Sequence, residues 1–62
     1  MATIRKEFIN KIRNFVIKDN AIYDLYLENK ETMKEQDKDL VLSRIALLRP
    51  RLSARLLKDG VI

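Results

Sequence analysis

The chain holds one glycine and one proline, Gly60 and Pro50, and both lie near its C-terminal end. Over the preceding residues almost nothing can break a helix. Apolar residues recur there at spacings of three and four, the period of a helix with one buried face. No stretch alternates apolar and polar residues for long enough to make a strand. The expected fold is therefore all-α: a single domain over residues 1–62, built as a compact bundle of three or four short helices.

Sixty-two residues are near the lower limit for a chain that folds alone. A domain of this size buries only about 60% of the surface that its unfolded chain exposes. Small scaffolds usually add disulfides, a metal or a second subunit. Cysteine and histidine are both absent, so disulfides and the usual zinc ligand sets are excluded, and no metal or cofactor is expected. A second subunit is the remaining device, and a homodimer is expected. Ile17, Leu27 and Leu47 fall off the predicted core faces and fit that expectation.

The first helix is predicted over Ile4–Lys18, with the Thr3 hydroxyl as its N-cap. Ile4, Phe8, Ile12 and Phe15 share its apolar face, with Ile9 and Val16 at the edge. Asp19 and Asn20 form a junction, and either can cap the next helix. That second helix is predicted over Ala21–Lys34, with Ile22, Leu25, Tyr26 and Met33 on one face and Asn29 among them. Residues 35–38 read as a polar connector, after which Asp37 or Asp39 could cap the third helix.

From Leu40 the apolar pattern continues through Val41, Ile45, Leu48, Leu52 and Leu56. Pro50 interrupts it, since proline lacks an N–H and disfavours helical geometry at the residue before it. Two arrangements fit. One is a long kinked helix. The other, which we favour, is a break at Arg49 with Pro50 at the first position of a short fourth helix. Lys58-Asp59-Gly60-Val61 reads as a stop, with Gly60 in the left-handed region and Val61 folding back.

Function is less constrained. Without His or Cys, the commonest acid–base side chain and the commonest thiol nucleophile are missing. One glycine cannot form a phosphate loop or a dinucleotide fingerprint, and Ser43 and Ser53 have no histidine to activate them. The expectation is a non-enzymatic binding protein with no small-molecule substrate. No segment reads as a signal peptide, and the aliphatic run Ile45–Leu48 is far short of the roughly 20 residues that cross a bilayer. A cytoplasmic location is expected. Acidic residues are too frequent for a membrane-surface helix.

The formal net charge is +4, arranged as basic, acidic and basic thirds. Residues 1–18 carry five basic groups and Glu7, residues 19–39 carry seven acidic groups and three lysines, and residues 40–62 carry four arginines, Lys58 and Asp59. On one continuous helix Arg44, Arg51, Arg55 and Lys58 would share a narrow arc, with Arg49 elsewhere. Arginine's planar fork suits phosphate and carboxylate. The first reading is a regulatory protein that binds nucleic acid through Arg44, Arg49, Arg51, Arg55 and Lys58, with Arg5 and Lys6 as secondary contacts. The alternative is a helical adaptor or inhibitor that docks on a protein partner. Its face would be the acidic stripe Asp24, Glu28, Glu31 and Glu35. Of the aromatics, Phe8 and Phe15 read as core, and only Tyr23 could stack on a base.

The segment from Arg49 to Ile62 resembles the end of a helix-turn-helix or winged-helix recognition unit. In such units a polar turn leads into a helix that ends in an acidic residue, a glycine and an aliphatic pair. The resemblance implies a helix-turn-helix-like C-terminal half, with Leu40–Leu48 as the preceding helix. It covers less than half of the chain. The recognition helix is short, Pro50 replaces the usual small residue of the turn, and no wing follows.

Overall fold

The computed structural model describes residues 4–62, so the expected cap Thr3 lies outside the described residues. Four helices follow one another: α1 (Ile4–Arg13), α2 (Asp19–Asn29), α3 (Glu35–Leu48) and α4 (Pro50–Lys58). Each packs on two others. α1 lies against α2 and α3, and α4 closes the ring by lying against the same two.

The periodic apolar residues meet in one core. Phe8 and Ile12 come from α1, Ile22 and Tyr26 from α2, Val41 and Ile45 from α3, and Leu52 and Leu56 from α4. Met33, in the loop after α2, completes it. The Phe8 and Tyr26 rings meet edge to face, 6.2 Å apart. Burial of each large apolar side chain contributes about 1.5–3 kcal/mol against the entropy of ordering the chain.

The first two helices end earlier than their apolar periodicity indicates. α1 stops at Arg13, not Lys18. Asn14 redirects the chain: its side-chain oxygen accepts from the Val16 amide at 3.1 Å, the local bond of an Asx turn. Phe15 and Val16 are thereby turned out, 69% and 85% exposed, while Ile17 turns in against the core. This reverses the expected places of Phe15 and Ile17. α2 ends at Asn29 because its carbonyl is taken by the amides of Thr32 and Met33 and by the Thr32 hydroxyl.

The expected caps also differ. Lys18 and Lys34, not acidic residues, precede α2 and α3, and neither makes a side-chain capping bond. Asp19 lies in the first turn of α2, and Glu35 and Asp37 in the first turn of α3, where carboxylates favour the helix dipole. Residues 35–38 are therefore helix and not connector, and Asp39 lies inside α3.

The break at Arg49 is present, and Pro50 opens α4. α3 and α4 are joined by Arg49 alone, a shorter joint than the three or four residues usual in a helix-turn-helix. The C-terminal stop is a Schellman motif. Gly60 has φ +74°, its amide donates to the Leu57 carbonyl, and the Val61 amide donates to that of Leu56. Val61 then packs back on the core.

Candidate functional site

α4 turns two faces to different surroundings. Leu52 and Leu56 enter the core, and Arg51, Arg55 and Lys58 stand in solvent. Positions i, i+4 and i+7 fall on one side of a helix, so the three cations form a stripe along α4. Within that stripe Arg51 and Lys58 have no carboxylate partner among the described residues.

Arg55 is tied down. Its guanidinium lies 4.3 Å from the centre of the Tyr23 ring and donates to the Asn20 side-chain oxygen at 2.5 Å. Asp59 is 3.9 Å from its Nε and accepts from the Tyr23 hydroxyl at 2.6 Å. That hydrogen bond to Asp59 is the main reason the Tyr23 phenol is held above its usual range, with desolvation adding to it. The cluster fastens α2 to α4. It also covers one face of Tyr23, the ring that sequence offered for base stacking.

Arg49 has a different role from the one expected. It is 7% exposed. Its Nε donates to the Ile12 carbonyl at 3.2 Å. Nη1 donates to the Ile17 carbonyl and to Asp19 Oδ1, both at 2.8 Å. Nη2 donates to the carbonyls of Lys11 at 3.3 Å and Asn14 at 3.0 Å. A guanidinium has five N–H donors, and here all are engaged. Four acceptors are carbonyls of the last turn of α1 and of the turn after it, and the fifth is the Asp19 carboxylate. Phe15 lies beneath the same guanidinium, 5.1 Å from its ring centre. Arg49 is a structural clamp and leaves the set of surface cations.

The other expected residues are dispersed. The break puts Arg44 on α3, so its continuous arc with Arg51 and Arg55 does not exist. Arg5 is exposed and makes a long 3.5 Å contact with Asp37, and Lys6 is exposed nearby on α1. Asp24 and Glu28 lie on α2, Glu31 in the following turn, and Glu35 at the start of α3 beside Lys38. All four acids are exposed, but they are not one helical stripe.

Sequence reasoning missed the surroundings of Arg49 and Phe15. Two open clefts, of about 400 and 290 Å³, flank this pair. Ile17, Lys18, Asp19 and Asn20 line one; Leu48, Pro50 and Arg51 line the other. The available signal was Asn14, a residue suited to a turn just before Phe15. Comparison of the chain with protein-family models, curated proteins and solved structures finds no match.

Proposed function

We propose that this chain is a small non-enzymatic binding protein that docks on the phosphate backbone of a nucleic acid through α4. The observation that carries this reading is the exposed stripe Arg51, Arg55 and Lys58, two of whose members, Arg51 and Lys58, make no ion pair among the described residues. A rigid helix holding cations at successive turns can track successive phosphates. Arg55, braced on Tyr23, is already ordered and loses little side-chain freedom on contact. Binding of this kind is governed by backbone charge and has little preference among sequences.

The test replaces Arg51 and Lys58 together by glutamine, leaving the Arg55 cluster intact. Affinity for DNA and RNA oligonucleotides should fall to a similar degree across sequences. The slope of log affinity against log salt should shrink by up to about 2. A folded double variant that binds as tightly as the parent, with the same salt slope, refutes the proposal.

A second reading is supported by Phe15 and Val16, two adjacent apolar side chains that are largely exposed. Beside two clefts they could seat a protein partner, making the chain an adaptor or inhibitor. Such docking would resist salt and be lost in Phe15→Ser. The double glutamine variant would retain it.

A further inference from the structure

The core does not use all the apolar residues of α3. Val41 and Ile45 are buried, but Leu40 and Leu47 are 37% and 69% exposed on the other side of the helix. At 100° per residue, Leu40, Ser43 and Leu47 fall within an arc of about 60°, and Gln36 joins them. All four are exposed. In a heptad frame Leu40 and Leu47 occupy the a positions and Gln36 and Ser43 the d positions. The charges beside this seam are ordered too. Asp39 falls at g on one flank and Arg44 at e on the other. They are about 140° apart around the helix and so cannot pair with each other. Neither makes an ion pair among the described residues.

We infer that the outer face of α3 is a self-association surface, on which the α3 helices of two copies pair in parallel about a two-fold axis. Charge complementarity identifies the occupant. In a parallel pair the g residue of one helix lies beside the e residue five positions later on the other. Asp39 of each copy then meets Arg44 of the other, and two-fold symmetry forms the contact twice. An antiparallel pair would instead set like flanks together. Ser43 at the centre is small enough to let the helices approach. The seam spans only two heptads, so the dimer is weak and dependent on concentration.

The experiment is sedimentation equilibrium of the full chain without nucleic acid, at low salt, up to millimolar concentration. The parent should dimerise reversibly. Asp39→Arg alone, or Arg44→Asp alone, should weaken the dimer about tenfold by turning two attractions into repulsions. The combined Asp39→Arg/Arg44→Asp variant should restore it, because the swapped charges again complement across the axis. Leu47→Gln, at an exposed site, should abolish the dimer and leave the helical circular dichroism unchanged. A parent that stays monomeric overturns the proposal. A dimer indifferent to the single reversals, or not rescued by the double one, overturns it equally. The nucleic-acid reading stands or falls separately, since the α3 seam contains neither Arg51 nor Lys58.

Discussion

The chain reverses direction after α1 and again after α4, and the two reversals are built on opposite principles. After α4 the stop is local: Gly60 adopts φ +74°, and Gly60 and Val61 donate to carbonyls of the last turn. After α1 the local bonds, Asn14 amide to Lys11 carbonyl and Ile17 amide to Asn14 carbonyl, are joined by a donor from far away. Arg49, more than thirty residues along the chain, donates to Lys11, Ile12, Asn14 and Ile17. A local stop can be recognised from four residues of sequence. A stop made by a distant side chain has no local signature except the turn residue Asn14. The difference also divides the stability of the fold, because the distant clamp joins three elements and the glycine stop secures one helix end.

The largest effect should come from Arg49→Met. It removes five hydrogen bonds to a charged group and takes the side-chain donor from the Ile12 and Ile17 carbonyls, while those of Lys11 and Asn14 keep only a backbone amide. Loss of a buried charged network typically costs about 3–5 kcal/mol. A domain of this length has a total stability of roughly 3–9 kcal/mol. Urea denaturation should therefore show Arg49→Met largely unfolded or close to it. Arg49→Lys keeps the charge but lacks the planar fork, and should recover only part of the loss. A loss below about 1 kcal/mol in Arg49→Met would erase the contrast between the two reversals.

Leu52→Ala comes next. Leu52 is 1% exposed and packs within the core from α4. Truncation there should cost about 3 kcal/mol, within the range for a buried leucine whose cavity cannot fully close. A change below about 0.5 kcal/mol, measured by the same denaturation, would contradict its burial. Gly60→Ala is smaller. No heavy atom lies within 4 Å of an added Cβ, so only the positive φ opposes it. The expected cost is about 1 kcal/mol, read from the shift in urea midpoint. No loss would mean that the α4 stop does not depend on the left-handed residue.

The pattern of these effects explains what was legible in the sequence. The register of α4 was readable because Leu52 and Leu56 lie about one turn apart and Pro50 and Gly60 mark its ends. The break at Arg49 followed from the geometry of proline. The ends of α1 and α2 were not readable, because apolar residues continue past both. Phe15 completes an i, i+4, i+7 pattern with Phe8 and Ile12, yet the helix has already ended before it. Met33 reaches the core from a loop. In the candidate site, Arg51, Arg55 and Lys58 were legible as a helical stripe. The withdrawal of Arg49 was not, since sequence shows its charge but not the carbonyls folded around it. Nor could sequence show that Arg55 rests on Tyr23, a contact between residues 32 positions apart.

The smallest effect, Phe15→Ala, is the sharpest test of how α1 ends. Were α1 to continue to Lys18, Phe15 would lie two turns beyond Phe8 on the core face, and truncation would cost about 3–5 kcal/mol. In the structure Phe15 is 69% exposed, and the Arg49 guanidinium lies over its ring at 5.1 Å. An exposed cation–π contact contributes about 0.5–1 kcal/mol, and that is the expected loss. Phe8 is fully buried against Tyr26, so Phe8→Ala measured beside it should show the full core penalty. The two phenylalanines thus separate the alternatives within one experiment. Equal losses would mean that both face the core, that α1 runs on through Val16, and that Arg49 cannot reach the carbonyls assigned to it. A loss confined to Phe8 places the end of α1 before Phe15, where Asn14 turns the chain and a distant arginine completes it.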